Sequence, residues 1–166
     1  MATANKNLSQ FNSECIPTAK EMRFAIVVSE WNSDVTISLL EGAKNTLIEH
    51  GANPNHIRVD FVPGSFELTS GARMIAEAGT FDAVICLGCV IRGETPHFDY
   101  ICQGVTSGIT LLNVNYSIPF VFGVLTTETL IQAKDRAGGK HGNKGVEAAI
   151  TAIKMVALRR KSFGRG

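Results

Sequence analysis

Short apolar runs alternate along the chain with longer stripes at helical spacing. Arg23 to Ser29, Ile57 to Val62, Ala83 to Gly88 and Phe120 to Val124 are brief, rich in Val, Ile and Phe, and bounded by polar residues or by Gly and Pro. That pattern predicts four strands, and their near-continuous apolarity predicts burial on both faces. Between them Leu40, Ala43, Leu47 and Ile48 recur at helical intervals, as do Leu68, Ala72 and Ile75, then Ile101, Val105, Ile109 and Leu112. Thr129 to Ala137 reads as a short helix ended by Gly138 and Gly139. Val146, Ala149, Ile150, Ile153 and Ala157 then form a last apolar stripe.

Each strand is thus followed by a helix, and right-handed crossovers give an α/β fold. The expected form is a flavodoxin-like three-layer αβα sandwich on a four-stranded parallel sheet. Residues 1–22 show no periodicity and are expected to be an N-terminal arm; residues 23–166 form a single domain. In such sheets ligands bind beyond the carboxyl ends of the strands. The chemistry is therefore sought in four loops: Ser29-Glu30-Trp31-Asn32, Pro63-Gly64-Ser65-Phe66-Glu67, Cys89 to His97, and Thr126-Thr127-Glu128.

Composition narrows the partners. Sixteen Lys and Arg face fifteen Asp and Glu, a net charge of +1 that provides no field for nucleic acid. The basic cluster Arg159, Arg160, Lys161 and Arg165 reads as a solvated helix end. The longest apolar runs fall short of the roughly 20 residues a membrane helix needs. Residues 1–22 also lack the apolar core of a secretory signal, so a cytoplasmic protein is expected. Charged residues make up only 19% of the 166, against about 25% in typical domains, which points to surface covered by other subunits. Cys15, Cys86, Cys89 and Cys102 do not form a disulfide scaffold.

Within the loops, Thr95-Pro96-His97 is a helix-start signal, with Thr95 as cap and His97 in the first turn. Free backbone donors there favour an anion, and a histidine beside a phosphate pocket can exchange protons near neutral pH. The alternative is a first-turn residue facing water. Trp31 offers a face on which a flat heterocycle could stack, or else fills the core. Phe66 and Glu67 supply an aromatic wall and a carboxylate able to accept hydroxyls, although Glu67 alone also suits a helix start. Residues 138–144 fail the phosphate-loop pattern, and a Rossmann glycine fingerprint is absent after the first strand, which disfavours ATP and NAD. Cys86-x-x-Cys89 raises a redox or metal reading. Cys86 falls inside a strand, however, where a reactive thiol is not expected.

Taken in order, Val62-Pro63-Gly64-Ser65-Phe66-Glu67-Leu68, Leu87 to Tyr100, Phe122 to Glu128 and Asn143-Lys144-Gly145 resemble the lumazine synthase family over about residues 23–155. The resemblance implies the penultimate step of riboflavin biosynthesis. There 5-amino-6-(D-ribitylamino)uracil condenses with 3,4-dihydroxy-2-butanone 4-phosphate to 6,7-dimethyl-8-ribityllumazine, without metal or organic cofactor. It further implies sites between neighbouring subunits of a homopentamer, an icosahedral shell of such pentamers, and riboflavin synthase as a candidate partner. By the same resemblance His97 is the proton shuttle, and Trp31 stacks on the pyrimidine. Ser65, Phe66 and Glu67 line the ribityl chain, while Cys89, Val90 and Ile91 contact the ring through backbone groups. Glu94, Thr95, Arg136 and Lys144 surround the phosphate. Phe122 closes the pocket from the adjacent subunit. A carrier that binds the ring without turnover is the rival, and an anion clamp of Arg136 and Lys144 argues against it.

Overall fold

Strand β1 (Phe24–Ser29) is buried along its whole length and lies between two neighbours in a sheet of order β2-β1-β3-β4, whose pairings are all parallel. The partners are β2 (Ile57–Val62), β3 (Ala83–Ile91) and β4 (Phe120–Thr127). This computed structural model describes residues 11–12 and 15–164. The connections are α1 (Ser33–Glu49), α2 (Leu68–Ala78) and α3 (His97–Asn115). After β4 come α4 (Leu130–Asp135), a small hairpin of β5 (Ala137–Gly139) and β6 (Gly142–Asn143), and α5 (Lys144–Ser162).

Alternation along the strands builds two cores. Phe24, Ile26 and Val28 of β1, with Ile85, Leu87 and Cys89 of β3, meet α1 and α5 on one face. Ala25, Val27, Val84 and Cys86 meet α2 and α3 on the other. This is the expected αβα sandwich, and period-two alternation within uniformly apolar strands is what fills both layers.

Several expectations need correction. β2 is a sheet edge and only partly buried: Phe61 is half exposed, and Arg58 and Asp60 pair at its surface. β3 and β4 run beyond Gly88 and Val124, pairing on to Ile91 and Thr127, so Cys89 to Ile91 are strand and not loop. The helix before the glycines is shorter than expected, with Thr129 as its cap accepting the Gln132 N–H. The glycines open a hairpin in which Gly138 and Gly142 take positive φ. The basic C-terminal cluster is in part anchored: Arg159 and Arg160 reach Asp82, and Arg160 also donates to the Glu21 carbonyl. Arg165 lies outside the described residues, as does most of the expected arm. Ala19 and Met22, near the arm's end, are buried in the core. No helix among the described residues is long and apolar enough to cross a membrane.

Candidate active site

The chain order reverses between β1 and β3, since the first crossover places β2 on one side of β1 and the next places β3 on the other. A crevice opens beyond the strand ends at such a point. Here it is a concavity of about 610 Å³ into which the segments after β1 and β2, the end of β3 and the start of α3 converge. That volume suits a small organic ligand.

Trp31 forms one wall. Its backbone N–H donates to the Pro63 carbonyl at 3.2 Å, and the indole is 75% exposed, which excludes core filling. The next residue, Asn32, adopts a left-handed φ of 60°, a conformation Asn tolerates better than most residues. Its Nδ2 donates to the Cys89 carbonyl at 2.9 Å, pinning the β1 loop to β3. Phe66, 58% exposed, is a second aromatic wall braced near Gly104 of α3. Glu67 lies at the start of α2 and lines the same space.

The floor is backbone. Pairing of β1 with β3 stops at Val28 and Leu87, whereas β3 continues to Ile91, so residues 88–91 keep one edge without a strand neighbour. Peptide donors and acceptors on such an edge can read the hydrogen-bonding edge of a flat ring much as they would read another strand. Gly88 makes the floor possible: a Cβ there would lie 2.7 Å from Ser65 Oγ and 2.9 Å from Leu68 Cδ1. Ser65 is buried and its hydroxyl has no hydrogen-bond partner among the described residues, which leaves a donor and acceptor free for a ligand hydroxyl.

His97 is the first residue of α3 and lines the concavity. Thr95 does not cap that helix. Pro96 takes the cap position, and no side chain caps the free N–H groups. They remain open to an anion. Glu94 and Thr95 are exposed in the turn just ahead and do not line this concavity. Cys86 and Cys89 face opposite layers, as an odd strand separation requires, and cannot form a redox pair. Burial pushes their thiols up to about 12 and about 11.

The remaining predicted residues gather elsewhere. Phe122 and Lys144 line a second concavity of about 420 Å³ along the β4 edge, which shares no lining residue with the first. Arg136 ends α4 and donates to Glu147 at 2.7 Å; Lys144 donates to the other oxygen of the same carboxylate at 3.2 Å. All three side chains are largely buried. Glu147, which also lines this second concavity, was not singled out from sequence. Its i,i+3 spacing from Lys144 was the available signal.

A flavodoxin-like α/β protein with an aromatic-walled cleft at its switch point, and a cation pair at a separate edge, is the class these features define. The model of the 6,7-dimethyl-8-ribityllumazine synthase family matches residues 21–160, and the chain belongs to that family. It is 62% identical to the 6,7-dimethyl-8-ribityllumazine synthase of Parabacteroides distasonis, covering 94% of this chain and 98% of the relative. Against the protein of the same name from Porphyromonas gingivalis it is 58% identical, covering 96% and 99%. For that of Phocaeicola vulgatus the identity is 56%, covering 97% and 96%.

Proposed function

We propose that the chain condenses 5-amino-6-(D-ribitylamino)uracil with 3,4-dihydroxy-2-butanone 4-phosphate to 6,7-dimethyl-8-ribityllumazine, releasing phosphate and water. Trp31 stacks on the pyrimidine, and the free edge at Cys89, Val90 and Ile91 reads its polar rim. Ser65, Phe66 and Glu67 hold the ribityl chain, with Glu67 accepting its hydroxyls. The phosphate lies at the open start of α3, beside Glu94 and Thr95, where Arg136 and Lys144 neutralise it. The Glu94 carboxylate points away from the anion.

The uracil's amine attacks the ketone, water leaves to give an imine, phosphate is eliminated, and ring closure with dehydration completes the lumazine. His97 moves protons between these steps. Holding amine and ketone together supplies most of the acceleration, up to about 7–11 kcal/mol in favourable cases. Proton transfer adds typically about 10²- to 10⁴-fold.

The separation of the two concavities carries the quaternary part of the proposal. Phe122, Arg136 and Lys144 complete the cleft of a neighbouring protomer, which makes a homopentamer the smallest active unit. The short turn between Gly138 and Asn143 favours closure of pentamers into an icosahedral shell, with riboflavin synthase as a candidate partner in the cytoplasm. The convergence of Trp31, Glu67, the Cys89 edge and His97 on one cleft is the observation that supports the reaction most strongly. Mixing the two substrates with the protein should produce lumazine absorbance together with one phosphate per turnover. Tight pyrimidine binding without product would leave the carrier reading in its place.

A further inference from the structure

Arg92 is the first residue beyond β3, and its backbone N–H still donates to the Thr127 carbonyl at 2.9 Å. The chain then leaves the sheet, and Gly93 to Pro96 carry it to His97. The Arg92 side chain crosses this turn. Nη1 and Nη2 donate to the two Asp99 carboxylate oxygens at 3.2 and 3.0 Å, and Nε donates to Glu128 at 3.1 Å. Its guanidinium carbon lies 4.1 Å from the centre of the Phe98 ring. One side chain thus grips the two residues that follow His97 and the loop that follows β4. No hydrogen bond among the described residues holds the His97 imidazole itself, so its place depends on where the first turn of α3 sits.

We infer that Arg92 is a positioning residue that, by bracing the turn ahead of α3, fixes His97 for catalysis. This rests on the proposed condensation. A planar guanidinium with two forked bonds and a stacked face fixes orientation as well as distance, which a lysine ammonium cannot do. The carboxylates of Asp99 and Glu128 are about 60% exposed, and exposed ion pairs contribute little to stability. The latch therefore acts on geometry, and removing it should leave assembly intact. A misplacement of about 1 Å can cost about 100-fold in rate.

The experiment is a cycle of Arg92→Met and Arg92→Lys in the native background and in His97→Ala, which keeps measurable turnover because proximity supplies most of the acceleration. Both Arg92 variants should sediment as the native assembly and leave the Michaelis constant for the pyrimidine within about twofold. In the native background kcat should fall about tenfold or more, and lysine should not rescue it. In His97→Ala the same changes should cost little further, since the group they position is gone. Equal losses in both backgrounds, or full activity of Arg92→Met, would overturn the inference. If Arg92→Met fails to assemble, Asp99→Ala and Glu128→Ala release the latch from its other ends and should show the same loss of additivity. A crystal structure of Arg92→Lys separates this failure from that of the reaction itself. A displaced 93–97 turn supports the latch even if no lumazine forms, and an unmoved turn refutes it even if lumazine does.

Discussion

Glu147 decides how much positive charge the far edge of the chain can offer to the proposed phosphate substrate. Its carboxylate lies between Arg136 and Lys144, so the three groups carry one net positive charge and not two. Arg136 also donates through Nη1 to the His141 carbonyl at 2.9 Å, which fixes the plane of its guanidinium. An anion arriving there meets an oriented fork, and truncating it removes binding more than chemistry. Arg136→Ala is expected to raise the Michaelis constant for the phosphate substrate about 10- to 100-fold while leaving that for the pyrimidine nearly unchanged, as steady-state titration of each substrate would read. An unchanged constant would remove Arg136 from that role. Trp31, Ser65, Phe66 and Glu67 were legible because they stand directly after β1 and β2, whose ends the apolar pattern marks. Glu147 was not, because its role depends on Arg136 folding back across the β5–β6 hairpin, eleven positions away. Thr95 misled for a related reason: its spacing suited a cap, yet Pro96 takes that position.

Elements are set by what packs against them. Asn143 caps α5 by accepting the Gly145 N–H at 2.7 Å, and its amide donates to the Ser38 carbonyl of α1 at 2.9 Å. The two helices meet so closely here that a methyl on Gly145 would enter the Leu39 carbonyl oxygen. Gly145→Ala must therefore push α5 off α1, moving Lys144 and Glu147 with it. A loss of roughly 1–3 kcal/mol is expected, read as a lower denaturation midpoint, with weaker phosphate-substrate binding in what remains folded. The apolar runs gave the strands and their order of appearance, but a run of Val and Ile cannot distinguish an edge from a centre, and so β2 was expected to be buried. Likewise the ends of β3 and β4 depend on each other's length, which neither segment reveals alone. Burial of β3 has a pH consequence. The Cys86 and Cys89 thiols are raised from an ordinary value near 9.0 to about 12 and about 11. At pH 8 both should resist thiol reagents in the native protein, with less than about one part in a thousand as thiolate. Because the folded values lie above the unfolded ones, their contribution to stability is complete below pH 9. It is lost as the pH rises towards 11–12, where unfolding titrates them first. Cys89→Ala and Cys86→Ala should each flatten the alkaline limb of a stability profile.

At the scale of the molecule, the cleft and the β4-edge concavity lie on one chain yet share no lining residue. Leu111, Val114 and Ile131 are exposed apolar side chains of the kind the proposed pentamer would cover. If the edge of one protomer completes the cleft of the next, the two halves can be damaged separately and restored by mixing. Glu67→Ala disables the cleft and Arg136→Ala the edge, so each homomeric variant should be impaired at every site. Co-expressed in equal amounts and assembled at random in a closed ring, they place an intact cleft beside an intact edge at about one interface in four. At subsaturating phosphate substrate, where both parents are nearly inactive, the mixed assembly should therefore run at about a quarter of the native rate, and native mass spectrometry would confirm that the rings are mixed. A site contained within a single chain predicts no recovery, because no chain in the mixture carries both intact halves. The ratio of recovered to native activity thus distinguishes a composite site from a self-contained one without any knowledge of how many rings assemble into a larger shell.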